Sequence, residues 1–503
     1  MGHGESPYVH GLLDEALEET PERSAVRDTA GRWTYRQLAG LSHAFARWLR
    51  DHGVGHGDRV VTQLPTRREA VALFYGTSRR GAVFVPLNPG MKEFHLASVL
   101  DNAEPALVVT DGSRAQRLRA VTRVPVYDLA SVWSEVEAEA ARGGSEDHPG
   151  IAPDDVASLV YTSGSTATPK AVICPHAQMT FVSRAIREEL GYRPDDVVFC
   201  RFPLSWDYGL YKVLLSCLGS SELVLAGDES DLRLLHRMRE TGTTVMPIVP
   251  SLATMIVKLA ERDPGPPPPV RLITNTGAAL PPATIEALRA AFPGVRVVRQ
   301  FGQTECKRVS IMPPEQDRER PASVGRPLPG TSVSILGTDG RPVPAGEVGE
   351  IVVTGPHVMP GYWRSPELTA RTFRRDERTG EPRLHTGDYG SLDADGYLYF
   401  EGRRDDMFKR KGIRMSTLEI EAAATDIPGV RAAAVLPPAD GRDLAVFVES
   451  ELAPHVILKE LAERLEPQKV PAVCRVVTEL LLTAHGKNAR RALTAMLQET
   501  DAP

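Results

Sequence analysis

A chain of 503 residues is too long for one compact core, and its formal net charge of −6 gives no electrostatic reason to expect a nucleic-acid partner. Its 42% hydrophobic and 25% charged residues are ordinary for a soluble globular protein, and no apolar run approaches the ~20 residues that span a bilayer. The opening MGHGESPYVH lacks the basic-then-apolar layout of a secretory signal. Cys174, Cys200, Cys217, Cys306 and Cys474 lie far apart and form no CxxC pair, and the histidines are scattered without ligand spacing. The expectation is a cytoplasmic enzyme without a disulfide framework or zinc site.

In chain order, the first clear element is a helix. Thr34 and Gln37 have capping-box spacing, and Leu38, Leu41, Phe45, Trp48 and Leu49 form one apolar stripe. Gly53 can stop it, and Arg59–Leu64 then reads as a buried strand. Short apolar runs follow at Val156–Tyr161, Val197–Cys200, Leu223–Ala226, Val245–Val249, Val270–Thr274 and Val295–Val298, separated by helix-length stretches. Such alternation predicts layered α/β architecture with substantial parallel sheet. Ala141–Asp155 and the proline-rich Asp263–Pro269 read as surface loops. From about Thr331 the texture changes to shorter strands and turns, such as Val333–Leu336 and Gly349–Thr354, and the last stretch is a compact α/β mixture.

The strongest chemical signal is Tyr161–Val172, YTSGSTATPKAV. A buried strand runs into Thr162, Ser163, Gly164, Ser165 and Thr166, with Lys170 just beyond. Polyphosphate binding needs small residues that let backbone N–H groups approach oxygens, together with hydroxyl donors and a cation. The Gly-Lys-Ser/Thr order of the Walker loop is missing, and taken alone the segment is equally a Ser/Thr-rich turn. Four further segments follow: FGQTE (Phe301–Glu305), HTGD (His385–Asp388, after a loop and before another short strand), GRRDDMFKRKGIR (Gly402–Arg414, before a helix start at Ser416–Glu419) and TAHGKNARRAL (Thr483–Leu493).

This ordered set resembles the adenylate-forming (AMP-binding) superfamily of acyl-CoA synthetases, nonribosomal-peptide adenylation domains and luciferases, over Thr34 to Leu493. The resemblance implies an α/β fold: a large multi-layered N-terminal domain with mostly parallel sheets (1–404) and a small mobile α+β C-terminal domain (405–503). It implies an enzyme, an AMP-forming acid ligase using ATP and Mg2+. The loop from Thr162 to Lys170 would cover the β- and γ-phosphates. Thr304 and Glu305 would sit by the α-phosphate, with Glu305 helping to hold Mg2+. Asp388 would accept from the ribose hydroxyls, with Arg403 near the nucleotide. Asp405 matches the hinge, and Lys487 the lysine that reaches the reacting carboxylate and α-phosphate. A carboxylate attacking ATP is already ionised, so charge neutralisation and alignment are needed rather than a general base. Glycine usual in the phosphate loop is replaced by Ala167 and Ala171, and the proline common before the terminal lysine motif is missing, which marks a divergent branch.

The segment from Leu204 to Leu225 resembles the one lining the family's acid pocket. Asp207 falls where amino-acid-activating members keep an aspartate for the substrate ammonium, though it also suits a helix N-cap before Tyr208–Leu218. Tyr208, Tyr211, Pro247, Ile273, Asn275, Gln300, Arg308 and Val309 fall at other pocket positions. They suggest a small polar pocket rather than a fatty-acid tunnel, with Arg308 available for a second substrate carboxylate or for Asp207. The chain stops shortly after Leu493, so a free-standing ligase is expected, with the thiol coming from the phosphopantetheine of a separate carrier protein. Free CoA as acceptor, capture by a nitrogen nucleophile, an unusual acid such as nitrite, and a catalytically inactive ATP-binding homologue remain alternatives. The particular acid and the oligomeric state stay open.

Overall fold

The computed structural model describes residues 5–91, 93–146, 150–162, 170–227, 230–277, 279–314, 316–376, 380–403, 407–410, 413–439, 443–465, 467, 469–480 and 490–500. The predicted first helix is there: Tyr35–Asp51 starts on a capping box in which the Thr34 hydroxyl accepts from Gln37 N–H, and the Gln37 side chain accepts from Thr34 N–H. Gly53 follows the helix at φ +75°, a left-handed conformation that glycine adopts without a Cβ penalty.

Among the described residues the larger sheet has fourteen strands. From Ser24–Asp28 it runs in parallel through Glu222–Leu225, Val197–Cys200, Val245–Ile248, Leu272–Asn275 and Arg296–Phe301. Beyond Phe301 every pairing is antiparallel: Ser310–Ile311, Ser323–Pro327, Leu398–Arg403, Pro382–Leu392, Gly349–Thr354 and Ser332–Leu336. The parallel half corresponds to near-continuous apolar runs, and the antiparallel half to the shorter strands read after Thr331. The segment HTGD does not precede a strand but lies within one, Pro382–Leu392; its polar residues sit on a sheet that alternates buried and half-buried positions.

The second sheet has six strands, Val126–Asp128, Leu107–Thr110, Arg59–Gln63, Val83–Pro86, Val156–Thr162 and Lys170–Pro175, all parallel except the last. Helices Val9–Glu19, Tyr35–Asp51, Arg68–Arg79, His176–Leu190 and Asp207–Leu218 fill the space between the two sheets. Their apolar faces form one core with Val60 and Phe84 from one sheet and Val198 and Leu223 from the other. Helices on the outer face of each sheet close two further cores. A strand buried on both faces must be apolar throughout, which is why these strands read as runs rather than alternations.

Residues from Thr417 onward build a three-stranded sheet, Val430–Leu436, Ala445–Ser450 and Val473–Val477, with helices Thr417–Thr425, Pro454–Arg464 and Arg490–Thr500. Its apolar residues, among them Ile420, Val446 and Ile457, cluster with one another rather than with the layers above. All five cysteines are buried free thiols. No described helix is long and apolar enough to cross a membrane.

Candidate active site

In an open parallel sheet the carboxyl ends of the strands face a crevice, because the connections there are loops rather than packed helices. Several of the sequence-selected residues collect there. Asn275 and Gln300 stand at or near the ends of Leu272–Asn275 and Arg296–Phe301, both buried. Asp207 opens the helix that follows Val197–Cys200. It is the first helical residue, not the N-cap: Trp206 holds the cap position without a side-chain hydrogen bond. The Asp207 side chain is thereby left for another use.

That use is an ion pair. Lys307 Nζ stands 3.1 Å from Asp207 Oδ2, with the lysine 3% exposed. The same ammonium lies 4.5 Å from the Tyr211 ring centroid and 5.4 Å from that of Tyr208. Burial pushes the Lys307 amine down to about 8; the Asp207 carboxylate counteracts this and the Arg308 guanidinium adds to it. Arg308 does not bond to Asp207. Its Nη1 donates to the Thr276 hydroxyl at 2.9 Å, and the Tyr208 hydroxyl donates to the Thr274 carbonyl at 2.9 Å. Burial also depresses the Arg308 guanidinium and raises the Tyr208 phenol.

Two adjacent side chains, Lys307 and Arg308, both approach Tyr208 and Asp207 although successive residues of an extended chain point to opposite sides. The backbone resolves this: Lys307 adopts φ +61°, a left-handed conformation rare for a residue with a Cβ. The turn folds back on Gly302, where a Cβ would meet the Lys307 carbonyl oxygen at 2.5 Å and Arg308 Cα at 2.8 Å. Only glycine allows that approach, so the glycine of FGQTE shapes the turn that carries Lys307 and Arg308 as well as Glu305.

A second cluster sits around Glu305, which is 5% exposed in the turn after that strand. Glu305 Oε1 accepts from Lys170 Nζ at 2.8 Å and from the Tyr362 hydroxyl at 2.6 Å; Lys170 also reaches the Tyr362 oxygen at 2.8 Å. The Lys170 ammonium lies 4.3 Å from the Tyr362 ring centroid. The Glu305 carbonyl accepts from Met359 N–H at 2.9 Å, which fastens the segment bearing Tyr362 to this turn. Thr304 is half-buried beside Glu305. Mg2+ takes oxygen ligands and is held by one or two carboxylates plus substrate phosphates. Glu305 fits that donor chemistry and is the residue that would hold the ion, which supplies charge neutralisation to the phosphates when bound.

The third group is Asp388, buried in Pro382–Leu392 and paired across the ladder with Arg403. Arg403 Nε donates to Asp388 Oδ1 at 3.1 Å, from a guanidinium about half in solvent. Thr386 orients this stretch by donating to the Ile351 carbonyl at 2.6 Å. Thr162 ends the strand Val156–Thr162, and Lys170 pairs with it across the ladder. Ser163, Gly164, Ser165, Thr166, Asp405 and Lys487 lie outside the described residues, as does Ala167.

Sequence reasoning missed Lys307, Thr276, Tyr362 and Lys212. Lys307 had a signal, since it adjoins Arg308 directly after the Glu305 motif. Tyr362 lies in an otherwise uninterpreted GYW, Gly361–Trp363. Lys212 is the one charge inside the apolar run from Tyr208 to Leu218.

Residues 13–363 match the family described as AMP-binding enzyme. The chain therefore belongs to this family, the adenylate-forming AMP ligases, and its mixed α/β fold is theirs. The crystal structure of VinN is 55% identical over 78% of this chain and 98% of VinN, with a TM-score of 0.75. ATP-bound MatB from Rhodopseudomonas palustris is 26% identical over 99% of this chain and 100% of MatB, with a TM-score of 0.86. Novobiocin biosynthesis protein H from Streptomyces niveus is 29% identical over 99% of this chain and 84% of its own length. The first four curated relatives are longer synthetases, of which this chain spans 6%, 19%, 8% and 45%.

Proposed function

We propose that this protein uses ATP to adenylate a small amino acid carrying a second carboxylate, of the aspartate type, and passes the acyl group to the phosphopantetheine thiol of a separate carrier protein. The observation that carries this reading is the juxtaposition of Asp207 with Lys307 and Arg308. The carboxylate suits a substrate ammonium, and the two cations suit a carboxylate that does not react. Solved structures of VinN with L-aspartate and with 3-methylaspartate, 54% and 51% identical to this chain, support the same substrate class.

In the proposed chemistry an oxygen of the reacting carboxylate attacks the α-phosphorus, and pyrophosphate leaves with the electrons of the broken P–O bond. No proton moves. Lys170, Glu305 and Thr304 border the phosphates, Asp388 and Arg403 hold the ribose side, and Lys487 supplies positive charge at the reacting oxygens. Residues 1–404 and 405–503 act as two domains about Asp405, so that Lys487 leaves when the acceptor enters.

ATP–pyrophosphate exchange tests the first half-reaction. L-Aspartate or 3-methylaspartate should give the strongest signal in a panel of amino acids, dicarboxylates, aryl acids and short fatty acids. A signal confined to acids with one carboxylate and no amine would sink the reading. For the second half-reaction, mass spectrometry should find acylated carrier protein and no acyl-CoA when both acceptors are supplied; the reverse result would favour an acyl-CoA ligase.

A further inference from the structure

Lys212 lies in the middle of the helix Asp207–Leu218, whose residues from Tyr208 to Cys217 are all buried, and is itself 1% exposed. Its Nζ stands 4.5 Å from the Tyr208 ring centroid, one helical turn back. No carboxylate of a described residue stands at ion-pair distance from it. Surface lysines escape burial by snorkelling to water, but this helix is enclosed on every side between the two sheets. A methionine of similar length would fill the space without desolvating an amine, so packing gives no reason for a lysine here.

The charges around it are unbalanced. Lys212 and Lys307 both stand over the Tyr208 ring and Arg308 lies near enough to act on Lys212, whereas Asp207 is the carboxylate that acts on all three, and it is already paired with Lys307. Burial together with Lys307 and Arg308 presses the Lys212 amine well below the usual lysine range, and a second substrate carboxylate entering the group would favour its protonated form. A ligand that brings one ammonium and two carboxylates adds a net negative charge to this group; one that brings an ammonium and a single carboxylate adds none.

From this we infer that Lys212 is a specificity-determining positioning residue, a third cation behind Tyr208 whose charge favours acids with two carboxylates over those with one. The inference rests on the aspartate-type reading above and extends it to a residue outside the contact shell. Lys212 acts through the electrostatic potential across the Tyr208 ring, not by touching the reacting atoms.

The test compares L-aspartate with 2-aminobutyrate and 3-aminobutyrate, in which a methyl replaces one or the other carboxylate. Pyrophosphate exchange is measured for wild type, Lys212→Met and Lys212→Gln. Removal of the amine should lower kcat/KM for aspartate about tenfold or more, chiefly through KM, and leave the two monocarboxylates unchanged or improved. The discrimination ratio should therefore collapse in either variant, and the Gln variant provides the same reading should the Met variant fail to fold. A lower melting temperature with an unchanged ratio would overturn the inference and leave Lys212 a packing residue. Wild-type silence with aspartate would instead overturn the substrate reading itself.

Discussion

The two halves of the crevice are built on different electrostatic plans. On the side proposed for the nucleotide, charges among the described residues are paired: Lys170 with Glu305, and Arg403 with Asp388. On the side proposed for the acid, three buried basic side chains, Lys212, Lys307 and Arg308, stand near one carboxylate, Asp207. ATP arrives with its own counterion, so its site can be close to neutral beforehand. An amino dicarboxylate, the substrate class proposed above, would arrive without one, and the pocket itself would have to hold the opposing charge.

Substitutions can break this comparison in graded ways. The largest expected effect is that of Lys487→Ala, which should slow adenylate formation by about two to three orders of magnitude while ATP binding survives. Single-turnover formation of the adenylate, with fluorescent-nucleotide binding as the control, reads both. Next, Lys307→Met should lower kcat/KM for the acid on the order of a hundredfold, because it strands a carboxylate in a mostly dry pocket. KM for ATP should stay put. A matching rise in KM for ATP would mean that the two sides are not independent.

Tyr362→Phe removes one of the two hydrogen bonds to Glu305 Oε1 and should cost about tenfold in kcat/KM for ATP, with KM for the acid unchanged. Steady-state kinetics with each substrate varied in turn would show an effect on the acid instead, if this assignment were wrong. The smallest effect on turnover is expected from Thr34→Ala, far from both sites. Loss of its capping box should lower stability by about 1 kcal/mol, read by chemical denaturation, and leave both kcat/KM values alone.

The same contrast explains what could be read in the sequence. The side proposed for the nucleotide is carried by short contiguous segments, YTSGSTATPKAV, FGQTE and HTGD, so Lys170, Glu305 and Asp388 are readable as candidates from the sequence alone. Parallel strands showed themselves as apolar runs, because burial on both faces leaves no other composition. The acid side is assembled across long separations: Asp207 and Lys307 are one hundred residues apart, and their contact depends on a left-handed backbone at Lys307 that no residue-type pattern encodes. Hence Arg308 was selected as the possible partner of Asp207 while its neighbour makes the pair. Asp207 as a helix cap was a fair local reading, and it failed because the helix begins one residue earlier than the cap required.

In the proposed reading the acid pocket demands an amine and a second carboxylate together. The direct measurement is kcat/KM in pyrophosphate exchange for L-aspartate, succinate, 2-aminobutyrate and 3-aminobutyrate with the wild-type protein. Aspartate should exceed each of the others by about a hundredfold or more, since each analogue leaves a buried polar group of the site unanswered. Comparable values for aspartate and either aminobutyrate would contradict the role given to Lys307 and Arg308, and comparable values for aspartate and succinate would contradict the role given to Asp207.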